Sequence, residues 1–254
     1  MDNFSFISNF VPFNMDGGQK MLVSAPAGTG KTNYLYSVVE RAVGKGKSVS
    51  VLNVDERESE MDEYRRLGAT VWGCPSSDRA DFDGLLEEIR SYIDLIRCDD
   101  PNIVIIDSLT GLYDIMDMSA EFADLMEGKP SKKGGYNPYI QKAIRGILNN
   151  FFDSGHRTVV GSIITNDGRD DQVRLFQDLA KDCNAELHLS KKLANLGLFP
   201  AVDFRRSYAR NYESFVSEEH AADIKEMKSL LSLVNDGEAA AAFYDLKVIP
   251  YIKL

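Results

Sequence analysis

The sequence predicts an α/β fold, a mainly parallel sheet flanked by helices on both faces. Three observations predict it. Short β-branched runs alternate with longer amphipathic segments along most of the chain. A glycine-rich loop, Ala25–Thr32, joins the first apolar run to the first amphipathic one. One run, "NIVIID" (102–107), is continuously apolar up to a terminal carboxylate, the pattern of a strand covered on both faces. Strands separated by helical crossovers run parallel through right-handed connections.

In chain order, "KMLVSA" (Lys20–Ala25) reads as a buried strand, followed by a helix from Lys31 to about Gly44. "SVSVLNV" (Ser48–Val54) is the next strand, with a short charged helix up to Leu67. "ATVWG" (Ala69–Gly73) is a short strand, and Phe82 to about Arg97 a helix. After "NIVIID", a helix over roughly Tyr139–Phe152 leads to the strand "TVVGSIIT" (Thr158–Thr165). "AELHLSKK" (Ala185–Lys192) and "LFPAVDF" (Leu198–Phe204) read as a final β pair, and Ser217 to Leu233 as a helix. Met116–Pro138 ends in Gly, Pro and Lys and reads as a long loop, a length usually functional or disordered. The whole chain, 1–254, is expected to be a single domain.

Composition narrows the function classes. Of 254 residues, 44% are apolar and 27% charged, as in a soluble globular protein able to bury a full core without staples. Cys74, Cys98 and Cys183 are far apart, with no CxxC or Cys/His cluster, which argues against a disulfide framework or a zinc site and for the reducing cytoplasm. The first residues lack a basic n-region and a long apolar h-region, and no stretch approaches membrane-spanning length. A net charge of −10 excludes a general nucleic-acid coat protein. Any nucleic-acid contact must come from a local basic patch.

"APAGTGKT" (Ala25–Thr32) follows a strand and opens a helix, the context a phosphate-binding loop requires. Successive N–H groups of Ala25, Pro26, Ala27, Gly28, Thr29 and Gly30 (proline excepted) would curl around phosphates, and the helix N-terminus adds partial positive charge. Gly28 and Gly30 allow close approach. Lys31 would reach the β/γ-phosphates of a nucleotide, and the Thr32 hydroxyl would bind Mg²⁺. Asp107 would hold the hydration shell of that Mg²⁺, or else cap the next helix. In "NVDERESE" (Asn53–Glu60), Asp55 or Glu56 could polarise the attacking water, or both could simply favour a helix N-terminus.

Several segments together resemble the ATPase domain of the transcription termination factor Rho family, RecA-type hexameric ATPases. They are "GGQKMLVSAPAGTGKT", "NVDERESEMDE", "IVIIDSLTGL" and "AELHLSKKLANLGLFPAVDFRRSYAR", in the family's order and spacing over roughly 14–233. The resemblance implies a single RecA-like P-loop NTPase domain with a C-terminal helical tail, 217–254, that assembles into a homohexameric ring. It also implies roles. Glu56 matches the catalytic base, and Arg57 an arginine coupling the site to the adjacent subunit. Phe199 matches the aromatic that stacks on adenine. Arg210 matches an arginine finger offered to the next protomer's γ-phosphate, typically worth roughly 10³–10⁵ in rate.

The family grips RNA with two loops lining the ring's hole. They correspond here to Met116–Pro138 and "TNDGRDDQ" (Thr165–Gln172), with Lys129, Lys132, Lys133 and Arg169 as the available cations. Such cations, repeated around a ring, would track single-stranded RNA without reading sequence. The resemblance begins near Asn14, so the family's N-terminal RNA-binding domain is expected to be missing. Gly28, Gly111 and Gly197 stand where the family has basic residues, and Tyr208-Ala209 where it has Gly-Thr. Three functions are thus expected in descending order. They are an RNA-stimulated translocase, an ATPase ring acting on another polymer or protein, and a modulator of another ring. A degenerate modulator would be expected to lose some of Lys31, Thr32, Glu56, Asp107 and Arg210, all of which are present.

Overall fold

The alternation of strands and helices is realised in a computed structural model that describes residues 3–54, 57–74, 81–126, 137–152, 156–165 and 170–232. The elements are α1 (Asn3–Ser8), β1 (Lys20–Ala25), α2 (Lys31–Gly44), β2 (Val49–Val54), α3 (Glu58–Arg66), β3 (Thr70–Cys74) and α4 (Phe82–Asp99). They continue with β4 (Ile103–Asp107), α5 (Leu109–Met118), α6 (Ala120–Met126), α7 (Pro138–Phe152), β5 (Thr158–Ile164) and α8 (Asp170–Ala180). The last are β6 (Ala185–His188), α9 (Lys191–Asn195), β7 (Tyr208–Ala209) and α10 (Glu218–Ser232).

Among the described residues seven strands form one sheet in the order β3-β2-β4-β5-β1-β6-β7. Neighbours are parallel except β7, which runs antiparallel to β6. Alternation along the strands divides the apolar side chains between two cores. Met21, Val23, Ile103 and Ile105 face α1, α2, α9 and α10. Leu22, Val104 and Ile106 face α4, α5, α7 and α8. In α2, Tyr34, Leu35, Val38, Val39 and Ala42 are buried, the apolar stripe of a 3.6-residue period. The sheet is therefore covered on both faces, and the carboxyl ends of its parallel strands open on one edge, where α/β folds place ligands.

Two expectations are corrected. "LFPAVDF" is not a strand. Pro200 has no N–H to donate to a ladder, and the segment makes only one bridge, Leu189 with Val202. The antiparallel partner of β6 is β7, with Glu186 opposite Tyr208, and Lys191 and Lys192 belong to α9 rather than to the strand. The stretch Met116–Pro138 is also not wholly a loop. α5 continues to Met118 and α6 occupies Ala120–Met126, because Phe122 finds a buried place and Asp83 accepts from the Ala120 N–H at 3.0 Å. α1 and α8 form where the sequence pattern predicts no helix. The tail helix is described over Glu218–Ser232, and 233–254 lie outside the described residues. No helix among the described residues is long and apolar enough to cross a membrane.

Candidate functional site

The loop after β1 is shaped by its glycines and closed by one hydroxyl. Ala25 ends β1 in buried, extended backbone. Gly28 and Gly30 have φ of 73° and 92°, a region costly for any residue with a Cβ. Thr29 is buried and its Oγ1 donates to the Pro26 carbonyl at 2.7 Å. Gly30 is the N-cap of α2 and supplies no capping side chain. The first N–H groups of α2 are left for an anion, which the helix dipole also favours. Ala27 and Gly28 are exposed on the rim of this loop. The Lys191 ammonium, from α9, donates to the Ala27 carbonyl at 2.8 Å. A Cβ on Gly28 would lie 3.3 Å from it, so a second cation occupies the space where Gly28 has no side chain. The Phe199 ring, 52% exposed, comes within 3.8 Å of the point a Gly30 Cβ would take.

Asp107 ends β4 and is fully buried. Three donors converge on its carboxylate. Lys31 forms an ion pair with Oδ1, Ser162 Oγ donates to the same oxygen at 2.7 Å, and Tyr64 Oη donates to Oδ2 at 3.0 Å. β5 lies between β4 and β1, so Ser162 of β5 spans the gap between the two strands carrying the motifs. The alternative capping role is taken by Ser108, whose Oγ accepts from the Gly111 N–H at 3.0 Å. Thr32 is the second residue of α2, next to Lys31. Asn53 pairs with Asp107 in the β2–β4 register. It is buried, and among the described residues neither its amide oxygen nor its nitrogen has a partner. A buried carboxylate in register with that amide, and paired with the lysine that precedes Thr32, suits a hard divalent cation that keeps part of its water shell, as Mg²⁺ does.

Tyr64 and Ser162 escaped sequence reading because they stand 43 and 55 residues from Asp107 and carry no motif of their own. Tyr64 is packed edge-on against Tyr36, with centroids 4.7 Å apart. Burial, then the Asp107 charge, pushes its phenol well above the usual tyrosine range, so it remains a proton donor throughout neutral pH. Tyr64→Phe removes one of the donors to a buried carboxylate while keeping the ring. It is expected to destabilise the fold by about 1–3 kcal/mol, read as a lower denaturant midpoint with an unchanged slope.

Arg210 lies elsewhere. It follows β7, is exposed, and its N–H donates to the Asn184 carbonyl at 2.7 Å. Asn184 in turn bonds Lys20, the first residue of β1, whereas the glycine-rich loop follows the last. β1 has 6 residues, so at roughly 3.3 Å per residue its ends lie about 16 Å apart. Arg210 is thus at the opposite end of the sheet from its own chain's loop. Arg57 is exposed at the N-terminal boundary of α3. Asp55 and Glu56 lie outside the described residues, as do Lys129, Lys132, Lys133 and Arg169.

No protein-family model matches the chain. It is similar to transcription termination factor Rho of Micrococcus luteus, 26% identical over 232 residues, covering 87% of this chain and 33% of that protein. Rho of Haemophilus influenzae is 22% identical over 237 residues, covering 90% and 55%. The chain thus spans between a third and somewhat over half the length of these relatives. Among solved structures it resembles a prototypical ATPase from the type III secretion system of pathogenic bacteria. The TM-score is 0.69 at 20% identity, covering 94% of this chain and 71% of that one. It also resembles the ATP synthase subunit NeqB of Nanoarcheaum equitans, with a TM-score of 0.71 at 16% identity, covering 90% and 59%. The fold is therefore that of the RecA-like P-loop ATPases.

Proposed function

We propose that this chain is the ATP-hydrolysing core of a ring-forming motor, with each active site shared between neighbouring copies. The observation that carries the proposal is the meeting of Lys31 and Asp107, which joins the phosphate loop to a buried carboxylate at the ligand-binding edge of the sheet. On ATP binding, the Lys31 ammonium exchanges Asp107 for the β- and γ-phosphates. Asp107 stays oriented by Ser162 and Tyr64. The α2 N-terminus holds the phosphates through backbone N–H groups, and Lys191 stands beside the same loop. Phe199 offers an exposed aromatic face to the adenine. Thr32 and Asp107 would hold Mg²⁺, which when bound neutralises charge on the phosphate oxygens. Glu56 orients the attacking water. Arg210, remote from its own loop, serves the γ-phosphate of the next copy, and Arg57 lies toward the same boundary.

The polymer acted on is single-stranded RNA, gripped in the ring's hole by Lys129, Lys132, Lys133 and Arg169. Similarity to Rho over 87–90% of the chain supports this. ATP turnover is expected to rise on addition of single-stranded RNA homopolymers, in protein shown by solution mass to form a ring with ATP. Unchanged turnover with every homopolymer, basal hydrolysis being intact, would remove RNA as the substrate. A second reading, a ring acting on a polypeptide partner, is favoured by one observation. Met118, Leu125 and Val173, in or beside the two segments expected to line the hole, are exposed apolar side chains. In that case a polypeptide, and not RNA, stimulates turnover.

A further inference from the structure

Resting on Arg210 as the finger, a chain of three further side chains on the sheet edge bears on how that arginine is held. Glu186 and His188 are two residues apart on β6 and so share a face. The β6–β7 register sets Tyr208 directly opposite Glu186. Tyr208 Oη donates to Glu186 Oε1, and His188 Nε2 lies 2.9 Å from Glu186 Oε2. Both carboxylate oxygens are therefore engaged, and the carboxylate is nearly buried, its side chain 12% exposed. Its proton is already lost. Burial pushes the Glu186 carboxyl up, but hydrogen bonds from His188 and Tyr208, with the charges of His188 and Arg210, hold it below its ordinary value. As a carboxylate it can only accept, so the Tyr208 hydroxyl must turn its hydrogen toward Glu186. The lone pairs of Tyr208 Oη are thereby presented to a donor on the other side.

That donor is Arg210. Its Nη2 donates to Tyr208 Oη at 3.2 Å, and its guanidinium carbon lies 5.4 Å from the centre of the Tyr208 ring, within cation–π range. The far end of the chain is anchored as well. His188 is buried, packs edge-on against Phe176 of α8 with centroids 5.0 Å apart, and its backbone N–H donates to Ser207 Oγ at 2.9 Å. An exposed arginine otherwise samples many rotamers, and ordering so long a side chain costs conformational entropy.

We infer that Tyr208, oriented by Glu186 and His188, is the positioning residue of the arginine finger: it holds the Arg210 guanidinium ready for the neighbouring subunit's phosphates. Tyr208 does not touch the nucleotide and acts only through Arg210. Its substitution should therefore alter the neighbour's chemical step and leave ATP binding at its own site alone.

The test compares Tyr208→Phe with Arg210→Ala in the full chain, measuring kcat, ATP affinity and recovery on mixing with Glu56→Ala protein. Tyr208→Phe keeps the ring but loses the hydroxyl. It should lower kcat roughly 10- to 100-fold, the cost of a group displaced by about an ångström, with ATP affinity unchanged. Mixing should restore turnover, as for Arg210→Ala, because an intact site can form at a mixed boundary. Glu186→Gln, which removes the charge that fixes the Tyr208 hydrogen, should lower kcat in the same way. Wild-type kcat in both Tyr208→Phe and Glu186→Gln overturns the inference. So does a loss that mixing fails to rescue while Arg210→Ala is rescued, since Tyr208 would then serve its own subunit's fold. Undiminished turnover in Arg210→Ala would instead refute the finger itself, an outcome distinct from the other two.

Discussion

Lys31→Ala is expected to abolish ATP hydrolysis, lowering kcat by at least about 10²–10³-fold, or about 2.7–4 kcal/mol of transition-state stabilisation. Lys31 is the second residue of "GKT" and begins α2, where the strand–loop–helix context places an ammonium against the phosphates. The tertiary contacts of Lys31 add a consequence that the motif does not contain. Lys31 is the ion-pair partner of Asp107, a carboxylate with no exposure. Removing the cation leaves that carboxylate with only the hydroxyls of Ser162 and Tyr64. A stability loss of about 1–3 kcal/mol should accompany the lost turnover. The two effects are separable. Hydrolysis is assayed at a temperature where denaturation curves show the variant fully folded, and Lys31→Met, which keeps most of the aliphatic stem, serves as the second variant. Wild-type turnover in a folded Lys31→Ala protein would sink the assigned phosphate loop.

Arg210→Ala is expected to lower kcat by about 10³–10⁵-fold, with nucleotide affinity nearly intact. The reason is geometric. Arg210 is aligned through Asn184 with the first residue of β1, while the phosphate loop follows the last, so the arginine cannot serve the nucleotide of its own chain. Mixing Arg210→Ala with Glu56→Ala protein should restore part of the activity, since one kind of boundary then contains both an intact base and an intact finger. Absence of recovery in every mixture, although subunits demonstrably exchange, would refute action across a boundary. An unimpaired Arg210→Ala enzyme would refute the finger altogether.

The legibility of this molecule in its sequence followed the range of the interactions. β1, β2, β4 and β5 could be read because each is a short run of buried residues bounded by turns. The glycine-rich loop after β1 could be read because the φ of Gly28 and Gly30 restricts those positions to glycine within a few residues of the strand that feeds them. α6 and α8 were less legible, because each lies beside a glycine- and charge-rich segment that reads as loop. "LFPAVDF" misled for the opposite reason. Its apolar alternation fits a strand, but Pro200 cannot join a ladder, and Tyr208-Ala209 takes the place beside β6.

The sequence by itself determined the α/β alternation, the glycine-rich loop, the carboxylate at the end of β4 and the candidate residues around them, because these depend on local backbone geometry and on the period of burial. Only the tertiary structure decided what surrounds each of them. Tyr64 and Ser162 reach Asp107 from other strands and helices, Lys191 fills the space over Gly28, and Arg210 is carried to the far end of the sheet. Tyr208, which in sequence is only a neighbour of Arg210, is tied by the β6–β7 register to Glu186. Strand order and register set which side chains meet, and contacts between residues tens of positions apart leave no periodic trace in the chain.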